Sequence, residues 1–148
     1  MTPIQPGAEA PSIPGVSFAD GPGALLFYKV TCPTCQMAGP VAEELASRFP
    51  SRFAAIVQDP PERVEGFARE HGEFPSVSED PPYDNSNAYG VSVVPTLFVI
   101  DGGVVTHLVE SWNRDGWNDV ATRLAEAEGL APEPVSTEGD GLPPFRPG

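Results

Sequence analysis

Cysteine is scarce: the chain has 148 residues and two cysteines. That is too few for the disulfide frameworks that staple small secreted domains. Histidine is equally rare, with two residues, His71 and His107, in separate predicted elements. They form no His-x₃₋₅-His pair, so with Cys32 and Cys35 they do not make a four-ligand zinc site, and the spacing does not suit a copper carrier. Basic residues are few, 8 against 21 acidic ones, for a net charge of −13. Such a balance disfavours nucleic acid and anionic membranes, both of which attract basic patches. No run approaches the roughly 18 apolar residues of a membrane span, so no membrane insertion is expected. The start, Met1-Thr2-Pro3-Ile4-Gln5-Pro6, has neither a basic region nor an apolar signal core. The sequence as it stands reads as cytoplasmic; one trimmed of a signal or anchor would read the same and be periplasmic or extracytoplasmic.

The two cysteines stand together. Ala24-Leu25-Leu26-Phe27-Tyr28-Lys29-Val30 is apolar on both faces, as a central covered strand is. It stops at Cys32-Pro33-Thr34-Cys35 and becomes a helical pattern running to about Arg48. A thiol at that junction faces unpaired backbone N–H groups and the positive end of a helix dipole, which stabilise a thiolate. The second sulfur is near enough to form or resolve a disulfide. Closing so short a loop constrains the unfolded chain little, so the pair reads as chemistry and not as a staple.

The rest of the pattern is β-α-β-α-β-β-α. Pro33 suits the first turn of helix one, Pro40 is expected to kink it, and Val41, Leu45 and Phe49 mark its buried side. Phe53–Val57 reads as a strand and residues 61–71 as a helix. Residues 74–90 read as a short edge strand, a loop and one helical turn. Thr96–Ile100 and Val104–Glu110 flank Asp101-Gly102-Gly103, a strong hairpin signal, and a last helix covers about 115–128. Phe27, Phe49, Phe53, Phe67 and Phe98 are placed in the core, and Trp112 and Trp117 are read as packing. Residues 1–20, dense in proline and glycine, are expected to be loose or extended, residues 21–129 form the domain, and the acidic, Pro/Gly-rich tail 130–148 is expected to be disordered. Strands alternating with helices before a hairpin imply a mixed sheet flanked by helices.

These residues together, Cys32-Pro33-Thr34-Cys35 after a strand, Pro40 in the helix, Val94-Pro95-Thr96 before a strand and the Asp101-Gly102-Gly103 hairpin, resemble the thioredoxin superfamily over roughly residues 21–129. The segments Phe53–Asp59, Phe74-Pro75 and Tyr89-Gly90-Val91 make the resemblance greatest to the TlpA-like branch of thiol–disulfide oxidoreductases. The resemblance implies a thioredoxin-like fold, with Cys32 as the exposed nucleophile and Cys35 as the buried resolving thiol. It implies Pro95 held cis beside them, with the Val94 backbone at the mouth of the site for an extended substrate. Thr31, Pro33 and Thr34 complete the surroundings. Leu26 stands where the family often has a buried acid, and Lys29 is a candidate substitute charge near Cys32. Asp59, ending a strand, is a further candidate neighbour of the thiols.

The implied activity is reduction of protein or small-molecule disulfides, with a thiol reductant upstream. The Cys32–Cys35 disulfide would be the only redox group, no further cofactor is expected, and the chain is read as a monomer. Two rival readings compete. A thioredoxin-fold binding module without turnover is disfavoured by the retention of both cysteines and Pro95. A peroxiredoxin-like peroxidase would need Pro-x₃-Thr-x₂-Cys. Counted back from Cys35 those positions are Tyr28 and Cys32, and counted back from Cys32 the proline position is Leu25.

Overall fold

The computed structural model describes residues 2–148. Five strands form one sheet in the order β3-β2-β1-β4-β5. The central strand, β1 (Pro22–Tyr28), pairs parallel with β2 (Phe53–Val57), which pairs parallel with β3 (Ser76–Ser78). On its other side β1 runs antiparallel to β4 (Thr96–Asp101), and β4 to β5 (Val104–Glu110). Helices α1 (Pro33–Arg48), α2 (Pro61–Glu70), α3 (Asp84–Tyr89) and α4 (Arg114–Ala127) complete the expected order.

Alternation along β1 divides the core into two layers. Ala24, Leu26 and Tyr28 point to the side of Val41 and Leu45 of α1, Phe67 of α2, and Trp117 and Leu124 of α4. Leu25 and Phe27 point to the other side, where Ile56, Tyr89, Phe98 and Ile100 meet them. All five phenylalanines placed in the core from the sequence are buried, as are both tryptophans. Gly102 and Gly103 both have positive φ, 59° and 79°, as a two-residue hairpin turn with the strand-matching twist requires.

Helix α1 is continuous through Pro40, whose ring lies on the exposed side. Next to it, Gly39 packs on the end of α2 so closely that a Cβ there would sit 2.5 Å from the His71 carbonyl oxygen. The absent side chain sets the approach of α1 to α2.

Both terminal segments are held to the domain. Residues 2–20 are extended and bonded along it. Ile4 N–H bonds to the Tyr89 carbonyl, Gly7 N–H to Val105, Ala10 N–H to Gly103 and Ala19 N–H to Ser51, and Ile13 is buried in the second core layer. Residues 7–10 of this segment pair with the start of the β5 edge, at Val104 and Val105.

The tail expected to be disordered is bound along the domain. Arg48 donates to the Glu133 and Pro134 carbonyls. The Asn118 amide accepts from Val135 N and Ser136 N and donates to the Ser136 carbonyl. Arg114 holds Ser136 Oγ, Asp140 and the Leu142 carbonyl. Val135 and Leu142 pack on the core. Two short strands, β6 (Trp112–Asn113) and β7 (Phe145–Arg146), then pair antiparallel. The tail has little apolar burial of its own. Side chains on α1 and α4 satisfy its backbone groups, and its prolines leave less conformational freedom to lose. Among the described residues no helix is long and apolar enough to cross a membrane.

Candidate active site

Cys32 is the N-cap of α1, with φ −80° and ψ 116°, and Pro33 is its first helical residue. The Cys32 sulfur accepts the Cys35 N–H at 3.1 Å, so it takes the place that a serine or aspartate oxygen takes in an ordinary cap. The loop before it is held by Asp59, which accepts Val30 N–H at 2.8 Å, and by Gln36, which donates to the Val30 carbonyl at 2.9 Å. Cys32 N–H bonds back to the Lys29 carbonyl at 3.3 Å. Thr31 and Pro33 are exposed and Thr34 is buried; Cys32, which the resemblance implies to be exposed, is itself buried, at 9% exposure.

The peptide bond Val94–Pro95 is cis, as the resemblance implies; Asp80–Pro81 is also cis, with no signal for it in the sequence. The Val94 carbonyl reaches the first cysteine: the Cys32 thiol donates to it at 3.3 Å. Ser111, with the unusual φ of 69°, clamps this corner. Its N–H bonds to the Pro95 carbonyl at 2.8 Å and its own carbonyl accepts the Trp117 indole N–H at 3.3 Å. Sequence reasoning misses Ser111, because nothing local marks a serine for the left-handed region.

The two thiols, both unbonded here, are driven apart in acidity. Cys32 is held down to about 6, first by the hydrogen bond from the Cys35 thiol, then by the Cys35 and Thr34 N–H groups and the Arg146 guanidinium, against an opposing effect of burial. Cys35, 2% exposed, is pushed far up by burial, with its bond to Cys32 adding to the effect. Behind it lies a cavity of about 10 Å³ lined by Leu26, Tyr28, Phe67, Phe74, Pro95 and Trp117. That volume is at the lower limit for one water, so Cys35 sits in a dry apolar pocket. Leu26, at the family's acid position, is part of that wall. Tyr28 binds Ser76 Oγ at 2.6 Å and is itself pushed up to about 12, chiefly by burial.

The structure thus brings together Cys32, Cys35, Thr34, Val94 and Pro95. A cation acting on Cys32 is Arg146, from the tail. Asp59 serves the loop backbone. His71 stacks near Phe67 at the end of α2, and His107 lies on β5 beside Thr106, each apart from the thiols.

The pKa shifts set a pH dependence. Cys32 is depressed below its unfolded value, so its contribution to stability is complete above the ordinary thiol pKa and is lost as pH falls through about 6. Cys35 is raised, so its contribution is present below the ordinary thiol pKa and is lost as pH rises beyond it. The reduced protein should therefore resist urea better at pH 8 than at pH 6. Thiolate absorbance at 240 nm should show one sulfur titrating near 6. A single titration at the ordinary thiol value would refute the arrangement.

No protein-family profile and no curated protein matches the chain. Solved structures do. The thioredoxin domain of a thiol-disulfide oxidoreductase from Bacteroides vulgatus is similar with a TM-score of 0.66 and 18% identity, over 79% of this chain and 96% of that one. A thiol:disulfide interchange protein of the thioredoxin family from Chlorobium tepidum is similar with a TM-score of 0.60 and 21% identity, over 83% and 99%. A secreted disulfide oxidoreductase of Mycobacterium tuberculosis is similar with a TM-score of 0.57 and 18% identity, over 72% and 81%. The chain has the thioredoxin-like fold, with the cysteine pair at the start of the first helix of that fold.

Proposed function

We propose that the protein is a thiol–disulfide oxidoreductase that reduces disulfides of protein or small-thiol substrates through Cys32 and Cys35. The observation that carries this reading is the placement of two sulfurs at one helix N-terminus, Cys32 accepting the Cys35 N–H at the cap and Cys35 buried behind it; their acidities are driven apart accordingly. One favours the thiolate at neutral pH beside the Val94 backbone, and the other is a dry, protonated thiol behind it. The Cys32 thiolate attacks one sulfur of the substrate disulfide. A Cys32–substrate disulfide forms and the other substrate sulfur leaves as a thiolate. Cys35 then loses its proton and attacks Cys32 Sγ. The Cys32–Cys35 disulfide forms and the second substrate thiolate leaves, so two electrons have passed to the substrate. A thiol reductant acting upstream returns the pair to the dithiol.

The alternative, a fold retained for binding alone, gives no reason for so large a difference between the two thiols. Neighbours of this fold are described as oxidoreductases and interchange proteins, which supports the reading. The test is equilibration of the purified protein against dithiothreitol, with the thiol state read by alkylation and mass. One intramolecular disulfide, formed and reversed as a two-electron couple, is expected. Two cysteines that never pair would defeat the proposal in favour of the binding module.

A further inference from the structure

The last residues of the chain lie across the candidate site, and their placement differs from that of the tail before them. Residues 133–142 are anchored by Arg48, Asn118 and Arg114, with Val135 and Leu142 on the core. Beyond Leu142 the segment is exposed, Phe145 at 54%, so it adds little to the core. Its polar contacts nevertheless reach the site one after another. The Pro143 carbonyl accepts the Trp112 indole N–H at 2.7 Å, and the Pro144 carbonyl accepts Arg114 N–H at 3.0 Å. Phe145 and Arg146 pair with Asn113 and Trp112. The Pro147 carbonyl accepts the hydroxyl of Thr34, between the two cysteines, at 2.7 Å, and Gly148 N–H bonds to Ser111 Oγ at 3.0 Å. Gly148 lies so close to the Val94 carbonyl that a Cβ on it would fall 2.1 Å from that oxygen. The Arg146 guanidinium reaches the Met37 sulfur at 3.9 Å.

We infer that the segment Phe145–Gly148 is an internal competitor: it occupies in cis the groove bounded by Thr34, Val94, Ser111 and the Trp112–Asn113 edge, where the resemblance already places an extended substrate. The inference deepens the proposed function and rests on it for the identity of the competing ligand: an unfolded or loop segment carrying a disulfide, which must displace the chain's own segment to bring its sulfur to Cys32. The recognition is largely through backbone groups, so it selects conformation over sequence. A site open only part of the time works at a rate reduced by that fraction. The held segment therefore slows every peptide disulfide, and slows compact small reagents less.

Two variants test this. One ends after Pro144, which leaves the Arg114 and Trp112 anchors in place. The other is Gly148→Val, in which nothing is removed but residue 148 cannot approach Val94 as the glycine does. Each is reduced and assayed well above the Cys32 midpoint, so that loss of Arg146 does not alter the thiolate fraction. The first probe is iodoacetamide, whose rate reads access to Cys32 whether or not the protein turns over disulfides. The second is an extended synthetic peptide with its cysteine held as a mixed disulfide with thionitrobenzoate. Attack by Cys32 joins the peptide to the protein and releases coloured thionitrobenzoate. If the groove is free about a tenth of the time in the intact chain, the peptide reaction should rise about tenfold in the shortened chain. Gly148→Val should give a smaller rise in the same direction, and iodoacetamide a smaller rise still. Equal peptide rates in intact and variant chains, with native circular dichroism, would overturn the inference; if the shortened chain fails to fold, Gly148→Val decides. Faster alkylation without any thionitrobenzoate release would instead count against the proposed function.

Discussion

Replacing Cys32 with serine is expected to abolish disulfide reduction, with a fall of at least about a thousandfold, the scale on which loss of a nucleophile is felt. The sulfur that is depressed to about 6, at the cap of α1, is the one to which the proposed function assigns the attack on an incoming disulfide. A serine hydroxyl in the same cap can accept the Cys35 N–H and preserve the helix start, so the loss would be of chemistry and not of fold. Cys35→Ser has a different expected signature. The first attack remains and the resolving thiol is gone, so a covalent complex between Cys32 and substrate should accumulate and survive until an external thiol releases it. Non-reducing electrophoresis with an oxidised protein substrate separates the two outcomes. Reduction by Cys32→Ser at the rate of the unaltered protein would show that the roles are wrongly assigned. A trapped complex in Cys32→Ser instead of Cys35→Ser would show that they are reversed.

The place of the cysteine pair is legible in the sequence because the local signals agree with one another. An apolar strand, a proline-containing turn and an apolar four-residue spacing converge on a strand–thiol–helix junction. The hairpin glycines and the buried phenylalanines are legible for the same reason: each is dictated by backbone geometry or by burial within a few residues. What escapes is non-local. Arg146 acts on Cys32 across the whole length of the chain. Ser111 acquires its role only because Pro95, Trp117 and Gly148 converge on it. The tail composition matches that of a solvated chain, yet Asn118 and Arg114 hold its backbone by contacts that no periodicity announces. Nearness in sequence makes Lys29 a candidate charge near Cys32, and the fold brings a second cation, Arg146, from the tail.

The largest effect on stability is expected at Trp117. Its ring is fully buried, packs at 5.1 Å from that of Trp112, and forms part of the wall behind Cys35. Removing such a ring costs about 3–5 kcal/mol, a large share of the roughly 5–15 kcal/mol that holds a typical domain together. The change also strips the Ser111 carbonyl of its indole donor, and Ser111 N–H is what holds the Pro95 carbonyl. Trp117→Phe separates the two contributions. It keeps most of the ring and loses the hydrogen bond, which should cost about 1 kcal/mol.

Urea denaturation of the reduced proteins measures both. A loss below about 1 kcal/mol for Trp117→Ala would mean that the ring is not a core residue at all. The chemical consequence is smaller. The space that alanine opens is walled by Leu26, Phe67, Phe74 and Pro95, and a cavity with apolar walls stays dry. Burial therefore continues to hold Cys35 protonated, and the folded variant should resolve its mixed disulfide at the rate of the unaltered protein. A fall in urea midpoint with an unchanged resolution rate would show that this wall packs the core without setting the second step.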